Sequence, residues 1–277
     1  MIPLAEYRVV TSSDGVRLRV WAGGAADGPP ILFIHGFSQS HLTWERQFSG
    51  PLARDFRLVA FDLRGHGWSD KPDALEAYHD NLRWAQDVAA VIDSLELQRP
   101  VLVGWSYGGR VVCDYLDAFG DGGIAGINFV DAAISNAQEH VGADVGLVGR
   151  AANPDPVRSI AATRRFLRAL FVKQPAQDDF ETMLAYTAMV PPDVRSKLLG
   201  RSVDARPALA ALTVPALFTH GVQDTIIAPA ASHFGAELVR NSRISLYEGV
   251  AHAPFYEATE RFDAELADFT RQRAVRT

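Results

Sequence analysis

The 277-residue sequence predicts an α/β fold, a mostly parallel sheet flanked by helices and interrupted late in the chain by a helical insertion. Three observations predict it. Five short runs, PILFIHG, RLVAFD, PVLVGW, GINFVDA and PALFTHG, are apolar without alternation, as strands covered on both faces are. Helix-patterned stretches separate the first four of them, in the rhythm of βαβ units. Hydrophobic residues make up 48% and charged residues 22%, enough for one sizeable core and far from the balance of a disordered chain.

Residues 6 to 22 open the chain as two strands, EYRVV and VRLRVWA, around the turn SSDG, where Gly15 takes positive φ cheaply; this pair is antiparallel. Helices are expected at TWERQFSGPLAR, NLRWAQDVAAVIDSLEL and GGRVVCDYLDAF, after the third, fourth and fifth strands. After the sixth strand the rhythm stops. Residues 134 to 210 read as helices broken by Pro154, Pro156, Pro175, Pro191, Pro192 and Pro207, with no strand-like run. The expected division is a core of residues 1–133 and 211–277 with an inserted helical cap at 134–210. PALFTHG then resumes the sheet, followed by a helix near 229–240, the strand RISLYEG and a closing helix from Thr259 to Arg271.

A net charge of −6 and a pI near 5.7 provide none of the basic field that nucleic-acid binding needs, which leaves a small molecule as the expected partner. Cys113 is the single cysteine, so an intrachain disulfide or a thiolate metal cluster is excluded. His66 and His79 sit in no HExxH or CxxC pattern, and neither a metal nor another cofactor is expected. The opening MIPLAEYRVV lacks the basic and apolar regions of a signal peptide, and no apolar run approaches the ~20 residues that span a bilayer. No membrane partner and a cytoplasmic location are therefore expected, with homo-oligomerisation left open.

The chemistry centres on Gly104-Trp105-Ser106-Tyr107-Gly108, a G-x-S-x-G pattern that follows the strand PVLV and precedes a helical stretch. A serine on such a tight strand-to-helix turn projects its hydroxyl above the sheet, and the glycines leave room for the bend. Because a serine hydroxyl is a poor nucleophile near neutral pH, it needs a base and a group that holds the base in one tautomer. The chain order Ser, acid, His selects Asp224, after PALFTHG, and His252, after the last strand. All three lie beyond strand ends, where open α/β sheets place their ligands. His220 and His233 compete for the base, and Asp131 for the acid, since it too ends an apolar strand; Asp131 alternatively caps the insertion. The oxyanion hole is expected from the Tyr107 amide and the Phe37 amide in His35-Gly36-Phe37, a stretch that also reads as an ordinary βα turn. The polar stretch Asp62 to Asp70 reads as a hydrogen-bonded supporting loop rather than a second centre.

Through His35-Gly36-Phe37, Asp62-Leu63-Arg64-Gly65-His66-Gly67-Trp68-Ser69-Asp70, Gly104-Trp105-Ser106-Tyr107-Gly108-Gly109, Asp224 and Ala251-His252, the sequence resembles the α/β-hydrolase superfamily over nearly its whole length. The resemblance implies an eight-stranded, mostly parallel sheet and a helical cap inserted after the sixth strand. Within the superfamily the chain looks most like small-molecule esterases and the cofactor-free haloperoxidase or perhydrolase group, with C–C hydrolases and lactonases close behind. Haloalkane dehalogenases and epoxide hydrolases carry aspartate where this chain has Ser106, which disfavours them, and His35-Gly36-Phe37-Ser38 is a shorter glycine run than C–C hydrolases carry. The expected activity is hydrolysis of a small carboxylic ester through an acyl-enzyme. The alternative from another class is a small-molecule receptor that keeps the triad.

The insertion carries Phe166, Leu167, Leu170, Phe171, Met183, Leu184, Tyr186 and Met189 at helix-like spacing. Most of that face should pack internally, while Phe171, Met183 and Met189 are expected to line the substrate pocket with Phe37, Trp105 and Phe255. From Val145 to Arg206 there are ten Lys and Arg against six Asp and Glu, a local excess that suits acidic substrates or a solvated helix face about equally.

Overall fold

A computed structural model describes residues 6–201 and 204–274. Met1 to Ala5, on which part of the reading of the chain's start rests, lie outside the described residues, as do 202–203 of the insertion and the last three residues.

The strands form where the sequence predicts, β3 to β7 at the five apolar runs: β1 Glu6–Thr11, β2 Arg17–Gly24, β3 Pro30–Ile34, β4 Arg57–Phe61, β5 Val101–Trp105, β6 Gly126–Val130, β7 Ala216–Gly221 and β8 Ser242–Tyr247. They make one eight-stranded sheet in the order β1-β2-β4-β3-β5-β6-β7-β8, antiparallel at the β1–β2 and β2–β4 pairs and parallel elsewhere. β5 and β6 are buried along their whole length, which accounts for their lack of alternation. The chain runs outward from β3 to β4, then returns to the other side of β3 as β5. The direction of winding therefore reverses between β3 and β5, and the carboxyl ends at such a switch point leave a crevice.

The helix Asn81–Ser94 starts at Asp80, whose carboxylate accepts the Leu82 amide, and it buries Trp84, Val88, Val91 and Ile92 on one face. Each such buried apolar side chain contributes about 1.5–3 kcal/mol. The helix expected over TWERQFSGPLAR is instead three short turns, His41–Trp44, Glu45–Ser49 and Leu52–Asp55, because Gly50 and Pro51 interrupt it. The closing helix Thr259–Ala274 packs Phe262 and Leu266 on the core.

Between β6 and β7 the described residues form short helices joined by loops, with isolated β-bridges at Ser135–Asp204 and Val141–Ile227, and the longest helices are Pro156–Ala169 and Gln177–Ala188. Asp155 caps the first of these by accepting the Val157 and Arg158 amides, and Pro156 occupies its first turn. The insert is tied to the core near the candidate acid: the Gly142 amide donates to Ile226 O at 2.9 Å and the Asp144 amide to Thr225 O at 2.7 Å. Among the described residues no helix is long and apolar enough to cross a membrane.

Candidate active site

Ser106 follows β5 directly and holds φ 53°, ψ −115°, a conformation that costs a non-glycine residue on the order of 1–3 kcal/mol. Backbone bonds on both sides enforce it. The Ser106 amide donates to Val130 O, while Ser106 O accepts the Gly109 and Ala133 amides, each at 2.9 Å. The turn also needs its glycines. A Cβ on Gly104 would meet Val112 Cγ2 at 2.8 Å, and one on Gly108 would collide with Ile34 O. The helix Tyr107–Phe119 starts at once, so its first amides face the space beside Ser106.

His252 Nδ1 lies 2.6 Å from Asp224 Oδ2, and both residues are buried. Asp224 Oδ1 accepts the Ile226 and Ile227 amides at 2.7 and 3.1 Å, which fixes the carboxylate. Burial works to raise the Asp224 pKa, but the His252 charge and the hydrogen bonds from His220 and His252 outweigh it and hold this carboxyl well below the usual range. Nδ1 therefore carries the proton donated to Asp224, and His252 Nε2 is left without a hydrogen-bond partner among the described residues. The His252 backbone is held from two sides. Its carbonyl accepts Trp105 Nε1–H at 2.7 Å, and its amide donates to Leu170 O of the insert at 3.0 Å.

Asp131, the rival acid, sits at φ 42° after β6 and accepts the Gly221 amide at 2.9 Å through Oδ1; its Oδ2 has no partner among the described residues. Burial, reinforced by the neighbouring Asp224 charge and only partly opposed by His220, pushes its carboxyl up to about 7. His220, the rival base, spends both ring nitrogens, Nδ1 with Ser232 Oγ at 2.7 Å and Nε2 with Ile227 O at 3.0 Å. It lies 3.4 Å from Asp224 Oδ2 and 3.6 Å from Asp131 Oδ1; burial lowers its pKa, but these two carboxyls prevail and raise it to about 9. His233 is exposed on the helix Ala230–Leu238. Asp131, Asp224 and His252 each bring a potential metal-ligand atom within 4.8 Å of the others. With Asp224 already engaged by His252 and two amides, the donor set suits shared protons better than a cation.

Ser106, Phe37 and Tyr107 line one cavity of about 460 Å³, together with Val148, Leu198 and Leu199 from the segment between β6 and β7. The expected pocket residues Trp105, Phe171, Met183 and Phe255 do not line it; they surround a second cavity of about 270 Å³. Met189, half-buried just past the end of the helix Gln177–Ala188, lines neither. The reason is geometric: helical spacing marks the inward face of Phe171 and Met183, and that face meets Tyr186, Tyr256 and Phe255 rather than the serine. Trp105 lies against Phe255 and Trp44, with ring centroids 4.9 and 6.4 Å away, and acts as the support of the His252 loop.

The sequence reading missed Arg110 and Arg201, the two cations on the wall of the Ser106 cavity. Arg201 is buried, donating to Tyr107 Oη at 2.9 Å and to Asp114 Oδ2 at 2.5 Å, its ion-pair partner. A visible clue was Arg110 itself, one helical turn beyond Ser106 in an otherwise apolar helix start.

The stretch Asp62–Asp70 is a supporting loop. Asp62 accepts the His41 amide and ring Nδ1–H and the Trp68 amide at 2.8–2.9 Å, and the buried Arg64 pairs with Asp87 at 2.6 Å and Asp14 at 3.0 Å.

A central serine elbow at the switch point of a doubly covered sheet, with a buried acid–histidine pair in the loops after β7 and β8, defines the α/β-hydrolase class. Residues 31–265 match the alpha/beta hydrolase family, and the chain belongs to it. The AB hydrolase superfamily protein YisY of Bacillus subtilis is 30% identical, over 88% of this chain and 92% of that one. Among solved structures, a candidate aryl esterase from Burkholderia cenocepacia superimposes with a TM-score of 0.94 at 38% identity, covering 98% of this chain and 100% of the other. The esterase RhEst1 from Rhodococcus sp. ECU1013 gives 0.91 at 35% identity, covering 96% and 99%.

Proposed function

We propose that the protein hydrolyses a small carboxylic ester through an acyl-enzyme on Ser106. The observation that carries the reading is the strained Ser106 backbone, held over a cavity next to helix-start amides, with a histidine whose Nδ1 is already committed to Asp224. In this mechanism Ser106 Oγ attacks the ester carbonyl as His252 Nε2 takes its proton. The Phe37 and Tyr107 amides hold the oxyanion, and the imidazolium returns the proton to the leaving alkoxide. Water then adds to the acyl-enzyme by the same route, and the acid leaves. Asp224 stays ionised throughout, consistent with its depressed pKa, and the sequence of steps requires no cofactor.

The esterase descriptions of the Burkholderia and Rhodococcus structures support the ester over other acyl substrates. The test is turnover of short-chain alkyl and aryl esters, lactones, amides and a vinylogous diketone by the wild type and Ser106→Ala. Ester turnover abolished by the substitution is the expected result. Binding without turnover of any of them would favour a receptor, and preferred cleavage of the diketone a C–C hydrolase.

A further inference from the structure

We propose that Arg110 reads an anionic group on the substrate, a carboxylate carried a few bonds from the scissile ester; this rests on the ester-hydrolase reading of Ser106. The wall of the Ser106 cavity contains no carboxylate among the described residues and two guanidinium groups. Arg201 is neutralised by Asp114. Arg110 has no ion-pair partner among the described residues. It donates through Nη1 to the Arg201 carbonyl at 2.9 Å and through Nη2 to Asn136 Oδ1, both neutral acceptors. A guanidinium has five N–H donors, so three remain for a ligand.

Its surroundings make this charge costly to keep idle. Val145, Val148, Ile226 and Ile227 line the same cavity, and burial lowers the pKa of Arg110 from the ordinary arginine range. A half-buried cation in an apolar cavity is stabilised by an anion, and a carboxylate matches the guanidinium fork bidentately. Arg110 lies in the first turn of the helix Tyr107–Phe119, which Ser106 immediately precedes, so the anion and the ester carbonyl would be read from one strand–turn–helix unit.

The test compares kcat/KM within two matched pairs, monomethyl adipate against methyl hexanoate and 4-acetoxybenzoate against phenyl acetate. The wild type should favour the anionic member of at least one pair by roughly tenfold, with the ratio collapsing in Arg110→Met, recovering in part in Arg110→Lys and shrinking as salt is added. Equal rates within both pairs, or a preference that survives in folded Arg110→Met, would overturn the proposal; uniform loss on every substrate together with a lowered melting temperature would mark Arg110 as a structural clamp and overturn it too. Should Arg110→Met not fold, the wild-type ratio and its loss in Arg110→Gln decide. Calorimetric titration of Ser106→Ala with monomethyl adipate separates the two readings. Arg110-dependent binding without turnover of any of the esters would keep the anion site and remove the ester hydrolase, turnover without preference would do the reverse, and neither turnover nor such binding would remove both.

Discussion

Asp131 and Asp224 stand on neighbouring strands within reach of the same two histidines, and their surroundings drive them apart. Asp224 receives two backbone amides and the His252 ring, whereas Asp131 receives one amide and leaves Oδ2 unpaired among the described residues. Ionisation is thereby favoured at Asp224 and resisted at Asp131. Asp224→Asn should offer His252 Nδ1 the wrong partner and reduce kcat by about 10³–10⁴. Asp131→Asn should cost less than about tenfold, because a neutral amide replaces a carboxyl already resistant to ionisation. Steady-state rates of the two variants on one ester check this, and the reverse order would move the acid to β6. The candidate residues could be picked from the sequence because Ser106 follows an apolar strand directly, while Asp224 and His252 follow later strands in the chain order Ser, acid, His. The role of His220 was not. Its partners are a serine twelve residues on, a backbone carbonyl and two carboxyls on adjacent strands, a set that exists only after the sheet assembles.

The loops after β3 and β4 meet through two histidines whose tautomers the backbone dictates. His35 donates from Nδ1 to Gly36 O and accepts the Leu63 amide at Nε2; His66 donates from Nδ1 to Arg64 O and accepts the Ser38 amide at Nε2, all at 2.8–3.1 Å. Protonation would turn each Nε2 into a donor facing another donor. Burial first, with smaller charge effects, depresses His35 to about 4 and His66 to about 3. The stability that these neutral rings contribute is complete above the unfolded histidine pKa and is lost as pH falls from about 6.5 toward those values, since the unfolded chain takes up protons that the folded chain refuses. Each ring removes about 1.4 kcal/mol per pH unit across that window. Melting temperature should therefore drop between pH 6.5 and 4, less steeply in His66→Gln, and a flat profile would contradict the assignment. At this scale β3 to β7 were readable because burial on both faces removes alternation, and β1 and β2 because of the turn between them. The segment after β3 was not, since its apolar pattern says nothing of the break that Gly50-Pro51 imposes.

Across the molecule, the loops after β5, β7 and β8 carry the candidate chemistry and the segment between β6 and β7 supplies much of the cavity wall, joined at the residues that matter. Leu170 O holds the His252 amide, and Glu257 accepts the Val172, Lys173 and Ala251 amides, linking insert and base loop at 2.8 Å each. Helical periodicity marked buried faces on the helices between β6 and β7 but not which of two cavities those faces would meet. The residues with access to the Ser106 cavity instead include Val148, in the short helix Gly146–Ala151, and Leu199, in a loop. Val148→Phe should narrow that cavity and shift kcat/KM toward shorter esters by roughly tenfold or more, while Met189→Ala leaves the chain-length profile unchanged. A profile across acyl lengths for both variants decides, and a shift with Met189→Ala alone would return the pocket to the helix Gln177–Ala188.

All of this converges on one atom, Ser106 Oγ. Treating the folded protein with a fluorophosphonate and mapping the adduct by peptide mass spectrometry tests it directly. A single adduct on Ser106 is expected, absent in Ser106→Ala and slowed by orders of magnitude in His252→Ala, with the melting temperature of Ser106→Ala close to wild type. Labelling at another residue, continued labelling of Ser106→Ala, or no labelling of the folded wild type would contradict it.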